Sequence, residues 1–283
     1  MTKTAAILST ILICAGLTAA RSIETVDRTI EAEGAKKLDI TIDFAAGELT
    51  IDPEDMSEAA KLHLEYDTRR VDYDIDYKLH GSTGSLYMET ERLTKRDIDT
   101  EDNLWDLKLS KRYPIEMEMD IGACDAKMEL GGLPLVELSL DVGAASGVIE
   151  FSDKNPERLR MFSVDAGAAS VEINNIGNSG FEEFDFDGGA GSFELDFRGD
   201  NYEGLCEVTI DIGLGSCELT LPKGIPVQIT SDDDGWFSSI DFHGDDLEEV
   251  DDGVWESDDF ENARTSIALD LDVGMGSIDI YFK

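Results

Sequence analysis

The chain has 283 residues, of which 63 are acidic and 23 are basic, so its formal net charge at pH 7 is −40. A surface this acidic repels phosphate backbones and anionic lipid headgroups, which argues against a nucleic-acid partner and against direct binding to a membrane surface. The same charge permits a cationic partner or bound metal ions, and it also keeps a protein soluble without any specific role.

The first twenty residues differ in composition from the rest. Lys3 supplies a positive charge, residues 5–17 are mostly apolar, and the small residues Thr18, Ala19 and Ala20 follow. This pattern is typical of a secretory signal peptide over residues 1–20. The apolar run is shorter than the roughly 20 residues that span a bilayer, and no later run is longer. We therefore expect export to the periplasm or the cell exterior, without insertion in a membrane.

Residues 21–112 are predicted to form a hairpin-rich β cap that includes a first, degenerate repeat. Alternating apolar residues over 62–66 and 71–79 indicate strands, and the second run meets 86–88 across a turn between Gly81 and Gly84. A cap of this kind covers the end of a strand stack, where the core and a strand edge would otherwise be exposed.

A glycine-centred motif recurs through residues 113–283, which we predict to be a repeat domain. Each copy begins with aspartate, continues with glycine and small residues, and lies between alternating apolar residues that indicate strands. The central copies start at 120, 141, 165, 187 and 211, so their spacings are 21, 24, 22 and 24 residues. This period favours stacked coils over a sandwich. All copies together start at Asp43, Asp120, Asp141, Asp165, Asp187, Asp211 and Asp272.

Stacking of the copies places these seven aspartates in one column. Neighbouring carboxylates about 4.8 Å apart repel by roughly 1 kcal/mol in water, and by more where they are partly buried. They are interpreted as structural turn aspartates, which either accept hydrogen bonds from turn amides or point into solvent. The other interpretation is a ladder of calcium sites as in β-rolls, although Phe193 occupies the place of the ligand aspartate.

Small residues and one apolar residue complete each copy. Glycine two places after the aspartate is expected to take positive φ or to approach the next coil closely. The apolar residues after the serine are expected to point inward, and they are Val171, Phe193, Cys217 and Ile278.

Residues 231–262 form an acidic insertion in the repeat domain, with 14 acidic residues among 32 and no Lys or Arg. Aromatic residues such as Trp255 argue against a solvated tail, and an edge strand is predicted at 253–256. Asp232, Asp234 and Asp241 have the partial spacing of a calcium loop and are candidate calcium ligands, although Thr230 occupies the first ligand place.

Motifs for catalysis are not found in the sequence. His63, His80 and His243 stand in no metal-binding or nucleophile motif, and no glycine-rich segment carries the lysine or following helix that phosphate binding requires. We therefore expect neither catalytic residues nor a cofactor.

Three cysteines follow the predicted signal peptide, and their spacing fits neither a disulfide framework nor a metal site. A bridge between Cys206 and Cys217 and a buried free thiol at Cys217 are both open.

Three stretches resemble the toast-rack proteins and the related repeat domains of LiaF-type envelope proteins and adhesins. They are residues 103–133, the succession of glycine turns, and residues 254–280, which is similar to the end of LiaF-type domains. The resemblance implies an all-β fold, a single-stranded right-handed β-helix-like solenoid preceded by an N-terminal toast-rack part. It implies no catalytic residues.

The function expected from these observations is a non-enzymatic extracytoplasmic interaction module, an envelope scaffold or sensor that binds a protein or a glycan. A calcium-dependent adhesin is the alternative, because of the aspartate ladder and the acidic insertion. A β-helix polysaccharide lyase is a third class, but it needs an Arg or Lys base, and basic residues are scarce in the repeats. Homo-oligomerisation is left open.

Overall fold

A computed structural model describes residues 22–92, 102–231, 238–244 and 247–283. The described residues form β-strands and two short 3-10 helices, Ile176–Ser179 and Phe260–Asn262, with no α-helix among them. The strands are β1 (Ile23–Ile30), β2 (Lys37–Glu54), β3 (Ala60–Asp67), β4 (Val71–His80), β5 (Thr83–Arg92), β6 (Asn103–Ser110), β7 (Ile115–Glu129), β8 (Leu135–Val142), β9 (Ser146–Glu150), β10 (Leu159–Ala166), β11 (Ser170–Asn174), β12 (Phe181–Asp196), β13 (Gly204–Leu221), β14 (Val227–Ser231), β15 (Ser238–His243), β16 (Glu248–Asp251), β17 (Val254–Glu256) and β18 (Thr265–Phe282). The predicted signal peptide lies outside the described residues.

Parallel pairing organises most of the strands into a stack. The longest strands bend at the glycine motif, so we call the segment before the bend the first arm and the segment after it the second arm. Each arm pairs with the same arm of the next layer, and we call a layer a rung. The rungs among the described residues follow in the order β5/β6, β2, β7, β8/β9, β10/β11, β12, β13, β18 and β14/β15.

The two outermost rungs are out of chain order. The β5/β6 rung follows β2 in sequence but lies on the side of β2 that faces away from β7. The β14/β15 rung precedes β18 in sequence but lies beyond it. Neither rung carries the aspartate-glycine motif, so the motif repeat indicates only the seven rungs between them. The outer rungs show the same alternation of apolar residues, as in Ile240 and Phe242.

Backbone contact between rungs explains the glycine of the motif. A Cβ atom built on Gly189 would lie 2.7 Å from the carbonyl oxygen of Gly167, and one built on Gly213 would lie 2.9 Å from that of Gly189. Contacts under 3.0 Å force a shift of the backbone. Of the two roles expected for this glycine, close approach is the one that the stack requires.

The hydrophobic core runs along the inside of the stack. The inward residues after the serine are all buried as predicted, with exposed fractions of 2% for Val171, 1% for Phe193 and Cys217, and 0% for Ile278. Phenylalanines fill the middle of the stack, where Phe162 and Phe184 lie 4.9 Å apart between ring centroids at 86°. Each such buried ring contributes roughly 1.5–3 kcal/mol relative to an exposed one.

The predicted hairpin of the cap is confirmed, and the predicted edge strand is wrong. Strands β4 and β5 pair antiparallel from Val71 with Arg92 to His80 with Thr83. Strand β17 pairs with β14 on one side and with β16 on the other, so it is an interior strand and not an edge. The predicted boundary between cap and repeat domain crosses one continuous pairing, because β2 pairs with β5 and β6 as well as with β7.

Candidate functional site

The aspartate ladder is in register from rung to rung. Asp43 pairs with Asp120, and the column continues through the remaining aspartates of the motif. Glu89 of the outer rung extends it, because it pairs with Asp43. Eight carboxylates therefore form one line along the first arm: Glu89, Asp43, Asp120, Asp141, Asp165, Asp187, Asp211 and Asp272.

These carboxylates face solvent beside the bend. Asp43 is half-buried and the six other motif aspartates are exposed. Within the described residues, none of the seven accepts a hydrogen bond from a turn amide. Among the residues that the structure describes, neither a turn amide nor a Lys or Arg side chain pairs with these aspartates, so they form a line of like charge.

Partial burial and neighbouring charges raise the pKa values of three ladder carboxylates. Partial burial raises the pKa of Asp141, and the charges of Asp120 and Asp165 raise it further. The pKa of Asp211 is raised by partial burial and then by Asp272 and Asp187. Burial and the charges of Asp120 and Glu89 raise the pKa of Asp43. These three carboxylates are therefore easier to protonate than isolated aspartates.

A groove runs along the first arm beside the ladder, with a volume of about 550 Å³. We call it the acidic groove. Its polar lining consists of Glu118, Asp120, Asp141, Asp165, Asp185, Asp187, Asp211, Ser139, Ser163 and Thr209. The hydroxyl of Ser163 donates to that of Ser139 over 3.1 Å, so the middle of the groove floor carries hydroxyl groups.

Basic residues of this face lie at the outer margin of the first arm, away from the ladder. Lys37 contacts Asp39 at 3.3 Å and Glu116 at 3.1 Å, and Arg160 contacts Glu137 at 2.7 Å. No Lys or Arg is among the lining residues of the acidic groove. The groove is therefore electrostatically suited to a cation and unsuited to an anionic ligand.

The candidate calcium ligands of the insertion are only partly described. Asp232 and Asp234 lie outside the described residues. Asp241 is exposed on β15 and pairs in register with Asp279 of β18. Across the described ranges, no group of three or more His, Cys, Asp or Glu side chains is arranged to hold a metal ion.

The three cysteines among the described residues, Cys124, Cys206 and Cys217, are buried free thiols. Burial raises the pKa of Cys124 to about 12 and also raises the pKa values of Cys206 and Cys217. A thiol with a raised pKa is a poor nucleophile at neutral pH, since the thiolate is the reactive form. Of the alternatives left open by the sequence, the structure has the free thiol at Cys217 and no bridge to Cys206.

The histidines make local contacts, and none of them is among the lining residues of the acidic groove. His63 Nδ1 lies 2.7 Å from a carboxylate oxygen of Asp27, and this hydrogen bond raises its pKa. His243 Nε2 lies 3.0 Å from Asp279, and its ring stacks on Tyr281. His80 ends β4 at the hairpin turn.

Asparagines in the loops that connect successive rungs form a structural network, which the sequence did not predict. The buried Asn155 amide donates to the carbonyl oxygens of Leu135 and Ser179 over 2.8 and 2.9 Å. Asn201 donates to the carbonyl oxygen of Asn155 over 3.0 Å. The network links three successive rungs by their connecting loops. Its signal in the sequence was weak because the asparagines share no motif.

No helix among the described residues is long and apolar enough to cross a membrane.

Comparison with known proteins gives one decisive match. The family model for the N-terminal domain of toast_rack, DUF2154, matches residues 19–174, which is more than half of the chain. The chain belongs to the toast-rack family. The matched range of this toast-rack chain runs from the cap through the rung formed by β10 and β11. No curated protein matches it.

Several solved structures are similar to the toast-rack chain at low identity. A candidate cell adhesion protein from Clostridium sporogenes is 18% identical, with a TM-score of 0.49 over 93% of this chain and 100% of that one. A candidate adhesin from Bacteroides fragilis is 9% identical, with a TM-score of 0.39 over 92% and 98% of the two chains. A candidate lipid binding protein from Parabacteroides distasonis is 13% identical, with a TM-score of 0.32 over 91% and 96%. Likeness at this level bears on neither partner nor function.

Proposed function

We propose that the toast-rack chain is a non-enzymatic extracytoplasmic interaction module that binds a cationic partner, a protein or a glycan, along its acidic groove. On this proposal the chain is exported, acts as an envelope scaffold or sensor, and winds as a right-handed, single-stranded β-helix-like solenoid. The observation that carries the proposal is the ladder of carboxylates, which lie in register and face an open groove without basic lining.

Repulsion between neighbouring carboxylates destabilises the ladder when no ligand is bound. Adjacent carboxylates repel by roughly 1 kcal/mol per pair in water. Partial burial raises the pKa values of Asp43, Asp141 and Asp211, and this repulsion raises them further. A polycation laid along the groove would remove that repulsion and release bound counterions. Binding would then be strong at low salt and would weaken as the ionic strength rises.

Two other functions fit the groove less well. A calcium-dependent adhesin is favoured by the register of the ladder, but the exposed carboxylates form a line and no described cluster encloses a metal ion. A polysaccharide lyase needs an Arg or Lys base beside its substrate, and the polar lining of the acidic groove consists of carboxylates and hydroxyls. Its anionic substrates would also be repelled.

The test uses titration calorimetry with three ligands, namely an octalysine peptide, a cationic amino-sugar oligomer and a neutral glucan oligomer of equal length. We expect the first, the second or both to bind with a marked salt dependence, and the neutral oligomer not to bind. The Asp141→Asn, Asp165→Asn, Asp187→Asn triple variant removes three adjacent ladder charges and should weaken binding at least tenfold.

The matched control removes the same number of charges from the second arm. Glu172, Glu194 and Glu218 are consecutive in one column there. The Glu172→Gln, Glu194→Gln, Glu218→Gln variant should bind nearly as well as the native chain. Equal loss in both variants would mean that net charge, and not the groove, attracts the ligand, and the proposal would then fail.

A further inference from the structure

The two ends of the stack are covered differently. At one end the outer rung is covered on both arms, because β4 pairs antiparallel with β5 and β3 pairs antiparallel with β6. At the other end β17 pairs antiparallel with β14, and β16 pairs antiparallel with β17. Strand β15 pairs with β18 alone among the strands that the structure describes. Among the described residues, no strand covers the opposite edge of β15 at residues 239–243, whereas the other three outer arms each have a cover strand.

The apolar side chains of β15 are incompletely buried. Ile240 and Phe242 of β15 occupy the inward positions that Ile278 and Ile280 occupy on the adjacent strand. The two residues of β18 are fully buried at 0% exposure, whereas the two of β15 are only partly buried. Phe242 packs against Trp255, with 5.2 Å between the ring centroids. An additional strand on β15 would complete the burial of this apolar face.

The negative charge of this end of the stack indicates which kind of strand could pair with β15. Residues 227–283 contain 17 acidic residues and two basic ones, Arg264 and Lys283. A second copy of this end would bring two strongly negative surfaces together, which disfavours self-association. A basic segment would be attracted, and Asp241 projects from the outer face of β15 beside Asp279.

We propose that residues 239–243 of β15 form a strand-addition site for an extended segment of a partner protein in which apolar and basic residues alternate. This inference rests on the proposed function, since it specifies how part of a cationic partner binds. The guest pairs antiparallel with β15, as the cover strands do on the other three arms. Its apolar residues lie over Ile240 and Phe242, and its basic residues lie on the side of Asp241. Backbone hydrogen bonds provide affinity and the alternation provides specificity.

The experiment uses the full mature chain and an acetylated octapeptide of alternating Lys and Val. A second peptide has the same sequence but is N-methylated at alternate residues, which preserves charge and side chains and removes donors from one edge. We expect the first peptide to bind and to slow amide hydrogen exchange within residues 239–243. The methylated peptide should bind at least tenfold more weakly and give no protection there.

Matched substitutions locate the site. Asp241→Lys reverses a charge on the edge strand, and Glu194→Lys makes the same kind of change on the second arm three rungs away. Binding of the Lys-Val peptide should be lost in the first variant and kept in the second. Equal binding of both peptides without protection of β15 would overturn strand addition, while the octalysine titration still tests the acidic groove. Failure of every cationic ligand to bind would overturn both proposals.

Discussion

Gly215 and Gly224 both have positive φ, of 148° and 87°, yet they differ in what surrounds them. A Cβ atom on Gly215 would lie 2.0 Å from the carbonyl oxygen of Gly191 in the adjacent rung, whereas nothing lies within 4 Å of one on Gly224. Gly224 is therefore required only by its backbone conformation, whereas Gly215 is required both by its conformation and by the close approach of the adjacent rung.

Replacement of Gly215 by alanine is expected to destabilise the fold by about 3 kcal/mol, because strain from positive φ adds to a backbone clash. Gly224→Ala has the first contribution alone and should cost about 1 kcal/mol. Urea unfolding of both variants gives the comparison. Similar losses in the two would show that adjacent rungs can separate at the bend without penalty.

Removal of a ladder charge should have the opposite effect. Asp141→Asn relieves repulsion from Asp120 and Asp165, so the free energy of unfolding should rise by up to about 1 kcal/mol at pH 7 and low salt. The folded-state pKa of Asp141 is raised above 3.8, so its ionised form destabilises the fold. The gain should therefore shrink as pH falls below the raised pKa and vanish below about 3.8.

Denaturant unfolding between pH 3.5 and 7 measures this gain. Asp258→Asn is the control, because Asp258 is exposed and pairs in register with no other carboxylate. It should change stability by less than about 0.5 kcal/mol. A ladder variant that is less stable than the native chain at pH 7 would mean that Asp141 makes a favourable contact in solution.

At the scale of elements, the β3–β4 turn of the cap is held by a buried carboxylate. Asp67 is fully buried and accepts two hydrogen bonds from the Arg69 guanidinium, at 2.9 and 3.1 Å. Arg70 bonds Asp102 just before β6, at 2.5 Å. These side chains link the β3–β4 turn to the residue that precedes β6. Its hydrogen bonds, chiefly from Arg69, lower the pKa of Asp67 to about 2.

Asp67→Asn should destabilise the cap by about 2 kcal/mol at pH 7, since hydrogen bonds to a charged group are lost. Because the folded-state pKa is about 2, the contribution of Asp67 is fully present above 3.8 and declines as pH falls toward 2. Asp55→Asn removes an exposed pair with Arg112, at 2.9 Å, and should cost less than about 0.5 kcal/mol. Unfolding curves at pH 7 and pH 3 that show equal losses for both variants would contradict this account.

How much could be predicted from the sequence also differs between elements. The motif rungs were predictable because one backbone contact favours glycine at the same place in all of them but β2, as at Gly189 and Gly213, whereas β2 has Ala45 there. The outer rungs have alternation without that glycine motif, and period-two alternation does not distinguish a parallel rung from a hairpin. Their displacement beyond β2 and β18 depends on long-range pairing that leaves no local signal.

The whole molecule combines a continuous core with a strongly charged surface. The register of the ladder was predictable because the aspartate precedes the glycine that fixes the bend, as Asp187 precedes Gly189. The edge of β15 that no described strand covers was not predictable, since it depends on which arms are closed by cover strands. Surface features of this kind determine which partner binds. The periodicity of the sequence therefore predicts the fold better than it predicts the function.

Ionic strength is the variable that tests the charge of the whole molecule. With a formal charge of −40, self-repulsion opposes the compact state, and salt screens it over about 10 Å at 0.1 M. We expect the melting temperature of the chain from residue 21 onward to rise by several degrees between 20 and 500 mM NaCl. Millimolar calcium and magnesium at fixed ionic strength should act alike, because screening depends on charge. A specific calcium site of micromolar affinity would instead add about 4 kcal/mol that magnesium does not reproduce. That outcome would favour the calcium-dependent adhesin and make Asp232, Asp234 and Asp241 the first residues to substitute.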